Sequence, residues 1–211
     1  MKPLLFFVSL FTAATLLAQT ERTRVACVGD SITYGSGIAG RETNSYPAAL
    51  QHFLGDKFEV KNFGVSGATL LKKGDKPYWK QKAFKDATEF NPNIVVIKLG
   101  TNDSKPQNRT NINEFATDLS AMVDHFAALP AKPKIFLCLP VPVYKTQWGI
   151  NEDSVANEII PAIQKVAAQK KLSVIDLHSA LADHKDLFPD NVHPNAAGAR
   201  IMAETVFAAI K

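Results

Sequence analysis

Short, mostly apolar runs alternate with longer amphipathic segments along most of the chain. Five runs of four to six residues are largely apolar and rich in β-branched side chains, which predicts strands covered on both faces. These runs are Arg24–Val28, Phe58–Asn62, Ile94–Leu99, Lys134–Leu139 and Leu172–Ile175. Helical periodicity marks the segments Tyr46–Leu54, about Tyr78–Phe90, Ile112–Leu129, Asp153–Lys170 and Asn195 to the last residue. Strands alternating with helices predict an α/β fold with a parallel sheet between helical layers.

Asn111 and Glu114 have capping-box spacing, so we expect Asn111 to be the N-cap of the third helix.

The predicted loops show where substrate binding and catalysis are expected. The segments richest in loop residues are 64–77, 100–111, 140–152 and 178–194, and each follows a predicted strand directly or closely. In open parallel sheets the ligand crevice lies outside the carboxyl ends of the strands. Reactive side chains in these loops are therefore expected to share one site.

The first 18 residues have the pattern of a secretory signal peptide. Lys2 precedes an uncharged apolar run from Leu4 to Leu17, and Ala18 offers a small residue for cleavage. A membrane anchor is the alternative, but this run is shorter than the roughly 20 residues that span a bilayer. We therefore expect a secreted or periplasmic protein without stable membrane insertion after cleavage, with a single domain over residues 19–211.

Charge and cysteine usage exclude some classes of function. The formal charge is +4, and the first 18 residues contribute one lysine to it. The basic residues are not clustered, so no nucleic-acid partner is expected. There is no C-x-x-C or Cys/His cluster to indicate a metal site. Cys27 and Cys138 lie in apolar runs, and an exported protein could pair them in a disulfide.

A glycine triplet after the first strand raises the alternative of dinucleotide binding. Gly35, Gly37 and Gly40 have the spacing G-x-G-x-x-G. That motif needs its first glycine at the strand-to-helix turn and an acidic residue at the end of the second strand. Here the first strand already ends at Gly29, and the second ends in Asn62 without an acid. Neither a nucleotide nor any other cofactor is therefore expected.

Two short motifs at opposite ends of the chain could form a nucleophile and its base. Ser31 directly follows the first strand, and a serine hydroxyl needs a base to become a good nucleophile. Asp190 lies three residues before His193, so its carboxylate can turn back onto Nδ1 of the imidazole. Each motif alone also has a simpler explanation. Asp30 or Ser31 could merely cap a helix, and His193 could lie on a surface turn.

Two further segments could stabilise the oxyanion of an acyl-transfer reaction. Asn62–Gly67 follows the second strand and Gly100–Asp103 follows the third. Backbone N–H groups near glycine and the amide of an asparagine can donate hydrogen bonds to a developing negative charge. Taken separately, either segment could equally be an ordinary loop.

Taken together, the four blocks GDSIT, NFGVSGAT, GTND and DNVHP resemble those of the SGNH hydrolases of the GDSL esterase/lipase superfamily. The resemblance covers essentially residues 19–211. It implies that Ser31 is the nucleophile, His193 the general base and Asp190 the support of the histidine. It also implies an oxyanion hole made by the Ser31 and Gly67 N–H groups and the side chain of Asn102.

The family fold is a flavodoxin-like three-layer α/β/α sandwich with a five-stranded parallel sheet in the order 2-1-3-4-5. The family's oxyanion glycine lies five residues after the asparagine of its block, which selects Gly67 and leaves Gly64 as a turn residue.

The family's strand order puts the third strand between Cys27 and Cys138. Their Cα atoms would then be roughly 9 to 10 Å apart, beyond the limit of about 7 Å for a disulfide. We therefore expect two free, buried thiols.

The expected substrate is a small-molecule or polysaccharide ester. Export and the lack of a long hydrophobic lid favour a short acyl group, acetyl above all, on a carbohydrate alcohol. Tyr144 and Trp148 follow the fourth strand and could bind a sugar ring, and the stretch GTNDSKPQN resembles carbohydrate O-acetylesterase-like members. A lysophospholipase or arylesterase is the alternative within the family. A non-catalytic carbohydrate-binding protein is the alternative of another class, and no oligomeric state is predicted.

The remaining titratable residues are given structural roles. Lys98 lies in an apolar strand, and because a buried unpaired charge is costly we expect it to reach an acid or the sheet margin. Four histidines lack matching partners in the sequence and are expected to be surface or packing residues. They are His52, His125, His178 and His184.

Overall fold

Five parallel strands form one sheet in the computed structural model, which describes residues 21–211. The strands are β1 (Thr23–Gly29), β2 (Phe58–Gly64), β3 (Ile94–Lys98), β4 (Lys134–Leu139) and β5 (Ser173–Asp176). Their order is β2-β1-β3-β4-β5, and every neighbouring pair is parallel. The predicted fold class and strand order are confirmed. The predicted signal peptide lies outside the described residues.

Helices and tight turns connect the strands. The α-helical segments are α1 (Ser31–Tyr34), α2 (Arg41–Asn44), α3 (Tyr46–Leu54), α4 (Lys82–Glu89), α5 (Pro106–Arg109), α6 (Phe115–Ala127), α7 (Glu152–Ser154), α8 (Ile160–Lys170), α9 (Leu177–Ala180) and α10 (Ala196–Ile210). A π-helical turn at Val155–Ile159 joins α7 to α8. Turns of 3₁₀ type lie at Tyr78–Lys80, Thr101–Ser104, Ile112–Glu114 and Lys185–Leu187.

The central strands of the sheet are buried on both faces, which explains why they are so apolar. Along β1, Ala26 and Val28 belong to one apolar cluster, which also contains residues of α6 and α8. Val25 and Cys27 alternate with them and belong to the other cluster, with residues of α3 and α10. This alternation is the two-residue period of a strand. The loops that carry the predicted site residues leave the carboxyl edge of this three-layer sandwich.

Two predicted helices begin with a 3₁₀ turn. The predicted helix over 78–90 contains a 3₁₀ turn and α4, separated by Gln81 in an extended conformation. The predicted helix over 112–129 likewise starts as a 3₁₀ turn before α6. The capping-box prediction is wrong, because the φ and ψ of Asn111 are −110° and 15° and its side chain makes no capping hydrogen bond. Its amide donates to Thr110 instead, and Glu114 accepts a hydrogen bond from Lys73.

The predicted helix over 153–170 starts one residue earlier and contains the π-helical turn. Pro161 lies just beyond this turn, at the start of α8. Proline has no N–H to donate, and its ring crowds the carbonyl four residues before it. A locally widened turn relieves this crowding without ending the helix.

Cys27 and Cys138 are buried, free thiols on β1 and β4. Strand β3 lies between these two strands, since Cys27 pairs with Val96 and Val96 pairs with Phe136. Burial raises the pKa of Cys27 to about 12 and that of Cys138 further still. Both side chains therefore act as small apolar residues of the core.

Candidate active site

The candidate nucleophile lies at the first turn after β1. Asp30 is the N-cap of α1, and its Oδ1 accepts a hydrogen bond of 3.0 Å from the N–H of Ile32. Ser31 is the next residue and the first of the helix, where a backbone N–H has no partner within the helix. Because Asp30 does the capping, the hydroxyl of Ser31 is left for another partner. Ser31 is only 7% exposed and lines a cleft at the carboxyl edge of the sheet.

Ser31, His193 and Asp190 form one hydrogen-bonded line. Nε2 of His193 lies 2.8 Å from Oγ of Ser31, and Nδ1 of His193 lies 2.8 Å from Oδ2 of Asp190. An ionised Asp190 can only accept, so Nδ1 carries a hydrogen and Nε2 is the acceptor. The serine hydroxyl therefore donates to the imidazole, which is the arrangement that general-base catalysis requires.

Asp190 is held as an anion by its own turn. Its Oδ1 accepts hydrogen bonds from the N–H groups of His193 at 2.7 Å and Val192 at 2.9 Å. Burial by itself raises the pKa of Asp190, but these N–H groups and the imidazole outweigh it and hold the pKa below its usual value. Asn191 adopts a left-handed conformation with φ of 69°, which lets the carboxylate turn back toward the histidine. The carboxylate is thus ready to orient the imidazole and to stabilise its protonated form.

Asn102 presents its amide from the turn that follows β3. It belongs to the 3₁₀ turn Thr101–Ser104, is 2% exposed and lines the same cleft as Ser31. Its Nδ2 donates to the carbonyl of Ala68 at 3.1 Å, and its own backbone carbonyl accepts from Asn108 at 2.8 Å. An amide nitrogen carries two hydrogens, so one hydrogen orients the group and the second can serve a ligand.

The two glycines of the loop after β2 have different roles. Gly67 lines the cleft with φ of 79°, a left-handed conformation that favours glycine. Gly64 is the last residue of β2, and a Cβ there would lie 2.2 Å from the backbone nitrogen of Tyr34. The expectation that Gly64 is a turn residue is therefore wrong. It is a point of close approach between β2 and α1, which keeps the two loops of the cleft together.

The cleft is small. Its volume is about 220 Å³, below the roughly 300–1,000 Å³ of typical ligand pockets. The lining residues are Ser31, Ser36, Ser66, Gly67, Asn102, Lys105, Trp148, Ile150 and His193. Four of the five residues named as catalytic or oxyanion groups line it directly, and Asp190 lies behind His193. A larger surface depression lies beside α2 and α3, and none of these five residues lines it.

The structure separates the two aromatic residues expected to contact substrate. Trp148 lines the cleft, is 58% exposed, and has its ring centroid 5.5 Å from that of His193. Tyr144 does not line the cleft. Its hydroxyl donates to the carbonyls of Leu181 and Ala182, and its ring packs on Phe188. Tyr144 thus holds the loop that leads to His193 and is not brought to the substrate side.

A cluster of buried polar groups lies beneath the cleft. Lys98 is fully buried, and its Nζ donates to both carboxylate oxygens of Asp30 at 3.2 and 3.0 Å and to Oγ1 of Thr101 at 2.8 Å. The expectation that Lys98 reaches an acid is confirmed. Burial lowers the pKa of this lysine, and the carboxylate of Asp30 acts in the opposite direction.

Asp103 has a supporting role that the sequence analysis missed. Its two carboxylate oxygens accept hydrogen bonds from the N–H groups of Leu71 at 2.8 Å and Leu70 at 3.0 Å. Burial raises its pKa to about 7, although these two hydrogen bonds act to lower it. Asp103 ties the turn that carries Asn102 to the segment that carries Gly67 and Ala68. Its place directly after Asn102 in the GTND block was the available signal.

Two of the four histidines expected at the surface or in packing also have hydrogen-bond partners, and His125 packs on Phe84 and Phe126 as well. Nε2 of His178 lies 2.7 Å from Oε1 of Glu152, and this hydrogen bond raises the pKa of the histidine, although its partial burial acts to lower that pKa. Nε2 of His125 lies 2.8 Å from Oγ1 of Thr88. These partners are 26 and 37 residues away in the sequence, so local spacing did not reveal them.

The structure also shows where the glycine triplet lies and whether side chains that could hold a metal come together. Gly35, Gly37 and Gly40 all have positive φ and lie between α1 and α2, beyond the strand-to-helix turn. Within residues 21–211, no group of three or more metal-ligating side chains comes together. Over the same range, no helix combines the length and the apolar character needed to cross a membrane.

Comparisons with known proteins agree with this geometry. The model of the "GDSL-like Lipase/Acylhydrolase family" matches residues 27–201. A protein of Xylanibacter ruminicola named "Acetylxylan esterase" is 48% identical over 209 residues, which cover 90% of this chain and 44% of that protein. The chain thus spans less than half the length of this relative.

Solved structures share the fold at low sequence identity. Est24, described as a carbohydrate acetylesterase from Sinorhizobium meliloti, superposes with a TM-score of 0.71 at 17% identity, over 90% of this chain and 98% of its own. The aryl esterase of M. smegmatis superposes with a TM-score of 0.71 at 20% identity, over 89% of this chain and 98% of its own. At such identities the likeness concerns the fold.

Proposed function

The chain belongs to the GDSL-like lipase/acylhydrolase family, a family of carboxylic ester hydrolases, and we propose that it is a secreted serine esterase that removes acetyl groups from carbohydrates. The observation that carries the proposal is the line from Ser31 through His193 to Asp190, with both side-chain contacts at 2.8 Å. The cleft beside this line also holds Gly67 and Asn102. The proposed nucleophile, base and oxyanion donors thus line one space, and the proposed orienting carboxylate lies behind the base.

The acylation step follows from these positions. His193 Nε2 takes the hydroxyl proton of Ser31 while Oγ attacks the ester carbonyl carbon. The oxyanion accepts hydrogen bonds from the backbone N–H groups of Ser31 and Gly67 and from the amide of Asn102. The bond to the alcohol oxygen then breaks, and the alcohol leaves with the proton from His193. The acyl group remains on Ser31 as an ester.

Deacylation repeats the same chemistry with water. His193 takes a proton from a water molecule, whose oxygen attacks the acyl carbon in the same oxyanion hole. When the tetrahedral intermediate collapses, the proton returns from His193 to Oγ of Ser31, and the carboxylic acid leaves. Asp190 stabilises the imidazolium in both steps and keeps its own charge. The mechanism needs no metal or other cofactor.

The size of the cleft and the position of Trp148 support an acetyl group on a carbohydrate alcohol. A volume of about 220 Å³ suits a short acyl group better than a fatty acyl chain. The leaving alcohol must lie at His193 to receive its proton, and the exposed ring of Trp148 lies beside that histidine. A flat apolar ring can cover the C–H face of a sugar and remove it from water. The 48% identical relative carries the name acetylxylan esterase, which supports the same substrate class.

The chain-length profile of hydrolysis tests the proposal. We expect p-nitrophenyl esters from C2 to C16 to be cleaved with a maximum at C2, and acetate to be released from acetylated xylan. A maximum at long chains would instead support a lysophospholipase. Turnover of aryl esters without release of acetate from polysaccharides would support an arylesterase. No turnover of any ester would support a carbohydrate-binding protein, and the Ser31→Ala variant provides the uncatalysed background.

We also propose export, with residues 1–18 as a cleaved signal peptide and residues 19–211 as one catalytic domain. The support is Lys2 followed by the apolar run Leu4–Leu17. Expression of the whole chain in a bacterial host should release a product that lacks these 18 residues outside the cytoplasm. Intact-mass measurement of the fractionated protein checks this, and retention of residues 1–18 would contradict it.

A further inference from the structure

A buried lysine connects the two loops that carry the proposed nucleophile and the oxyanion amide. Lys98 is the last residue of β3, and its side chain has no exposed surface. Its Nζ contacts the carboxylate of Asp30, directly before Ser31, and the hydroxyl of Thr101, directly before Asn102. The three acceptors match the three hydrogens of an ammonium group. One side chain therefore touches both neighbours of the reacting residues.

Burying a lysine at the end of a strand costs free energy, because its charge is removed from water. Apolar residues occupy the rest of β3, and a buried ion pair is often no more stabilising than well-packed apolar side chains. Stability of the core is therefore a weak reason for Lys98. The charge of Asp30 supplies a better one, because this carboxylate caps α1 through Ile32 and directly precedes Ser31, whose N–H is a proposed oxyanion donor.

An uncompensated carboxylate at Asp30 would oppose the developing oxyanion. Like charges repel strongly where water is excluded, and both Asp30 and Lys98 are fully buried. A cation shared by Asp30 and Thr101 removes this repulsion and fixes the distance between the two loops. The contact with Thr101 also sets the start of the turn on which Asn102 lies.

We propose that Lys98 is a positioning residue of the catalytic site, which neutralises Asp30 and ties the nucleophile loop to the oxyanion turn. The inference rests on the proposed esterase function. It assigns to Lys98 an effect on turnover through Ser31 and Asn102, without contact between the lysine and the substrate. Its loss should consequently lower kcat and leave KM nearly unchanged.

The main test removes the charge of Lys98 and then also removes the charge of Asp30. Lys98→Met should lower kcat for p-nitrophenyl acetate by roughly 50-fold or more, with KM within about threefold, because the oxyanion donors that it positions are worth factors of about 100. The double variant Asp30→Asn/Lys98→Met should recover at least about tenfold of that loss. Asparagine still accepts from the N–H of Ile32 as an N-cap but carries no charge. Lys134→Met, at the exposed start of β4, is the matched control.

The rates must be expressed per active site. Labelling with a fluorophosphonate counts the functional nucleophiles, and circular dichroism gives the folded fraction and Tm of each variant. If Lys98→Met does not fold, Thr101→Val decides the question, because it removes only the hydroxyl contact and should still lower kcat by about fivefold.

The outcomes separate this inference from the proposed function. If the wild-type protein neither turns over esters nor reacts with the fluorophosphonate, the proposed function fails and the inference fails with it. If the wild type is active but folded Lys98→Met keeps its kcat within about threefold with only a lower Tm, the inference alone is overturned. A double variant no faster than Lys98→Met, or an unchanged kcat in Thr101→Val where that variant decides, overturns it as well.

Discussion

The floor and the rim of the cleft are built in opposite ways. The floor, which we define as Asp30, Lys98, Thr101, Asn102 and Asp103, is no more than 2% exposed at any residue, and each of its side chains makes hydrogen bonds inside the protein. The rim, which we define as residues 147–150, is a small hairpin closed by the mutual backbone hydrogen bonds of Gln147 and Ile150, with Trp148 exposed at its tip. This difference fits the proposed mechanism, in which charge develops beside the rigid floor and the alcohol of the ester lies at the open rim.

The largest effect should come from Ser31, the proposed nucleophile above the floor. Ser31→Ala removes the attacking oxygen, so kcat should fall by roughly 1,000-fold or more while the fold is kept. Hydrolysis of p-nitrophenyl acetate and a thermal melt measure the two quantities. Substantial remaining activity with an unchanged melt would contradict the assignment of Ser31.

Asn102, the proposed oxyanion donor of the floor, should have the next largest effect. Asn102→Ala removes the amide that faces the cleft, and kcat should fall by roughly 100- to 1,000-fold with little change in KM. Steady-state kinetics on the same ester give both constants. Asn44→Ala, on the surface of α2, is the control, and a kcat within threefold of wild type for Asn102→Ala would remove this residue from the site.

A change at the rim should affect the choice of alcohol more than the chemistry. Trp148→Asn removes the ring and keeps a residue that tolerates the observed φ of 50°. For acetylated xylo-oligosaccharides KM should rise about tenfold, which corresponds to about 1.4 kcal/mol of lost apolar contact. For the same variant, the kinetics on ethyl acetate, whose alcohol is much smaller, should change far less. Trp148→Phe should keep most of the oligosaccharide affinity. Equal losses of activity on both substrates would indicate that Trp148 acts on the chemical step, as the floor residues do, and not on the choice of alcohol.

The smallest effect concerns the attachment of the rim to the body. Glu152 accepts a hydrogen bond from the N–H of Val143, near the base of the rim, and contacts His178. The hydrogen bond to Glu152 raises the pKa of His178 above its ordinary 6.5 against partial burial, so the folded state favours the protonated form. The stability from this pair is therefore full below about pH 6.5 and is lost as the pH rises through the raised pKa.

His178→Gln should consequently lower Tm by about 1–2 °C at pH 5.5, the shift expected for about 0.5 kcal/mol in a chain of this size. The difference from wild type should shrink at pH 9. Differential scanning fluorimetry across this range is sufficient. A Tm difference that grows with pH would show that the sign is reversed.

The sequence predicts which loops carry the candidate residues better than it predicts their long-range contacts, for a physical reason. The residues Ser31, Asn102 and His193 lie in short blocks beside strands whose apolar pattern is strong, and a parallel sheet brings such ends together. Tyr144 was expected at the substrate because it follows β4, yet it contacts Leu181, 37 residues further along. The partner of Lys98 is 68 residues away, so only its need for an acid could be inferred. Contacts of this kind depend on packing that no local pattern encodes.

The contact between Ser31 and His193 joins positions 162 residues apart. A chain that has formed β1 and α1 alone holds the serine without its base, and long-range contacts of this kind form slowly. Hydrolytic competence is thus acquired only when the two ends of the domain have met. During refolding from denaturant, the return of ester hydrolysis should lag behind the return of the helical circular-dichroism signal. The rate of hydrolysis would then report the last stage of folding.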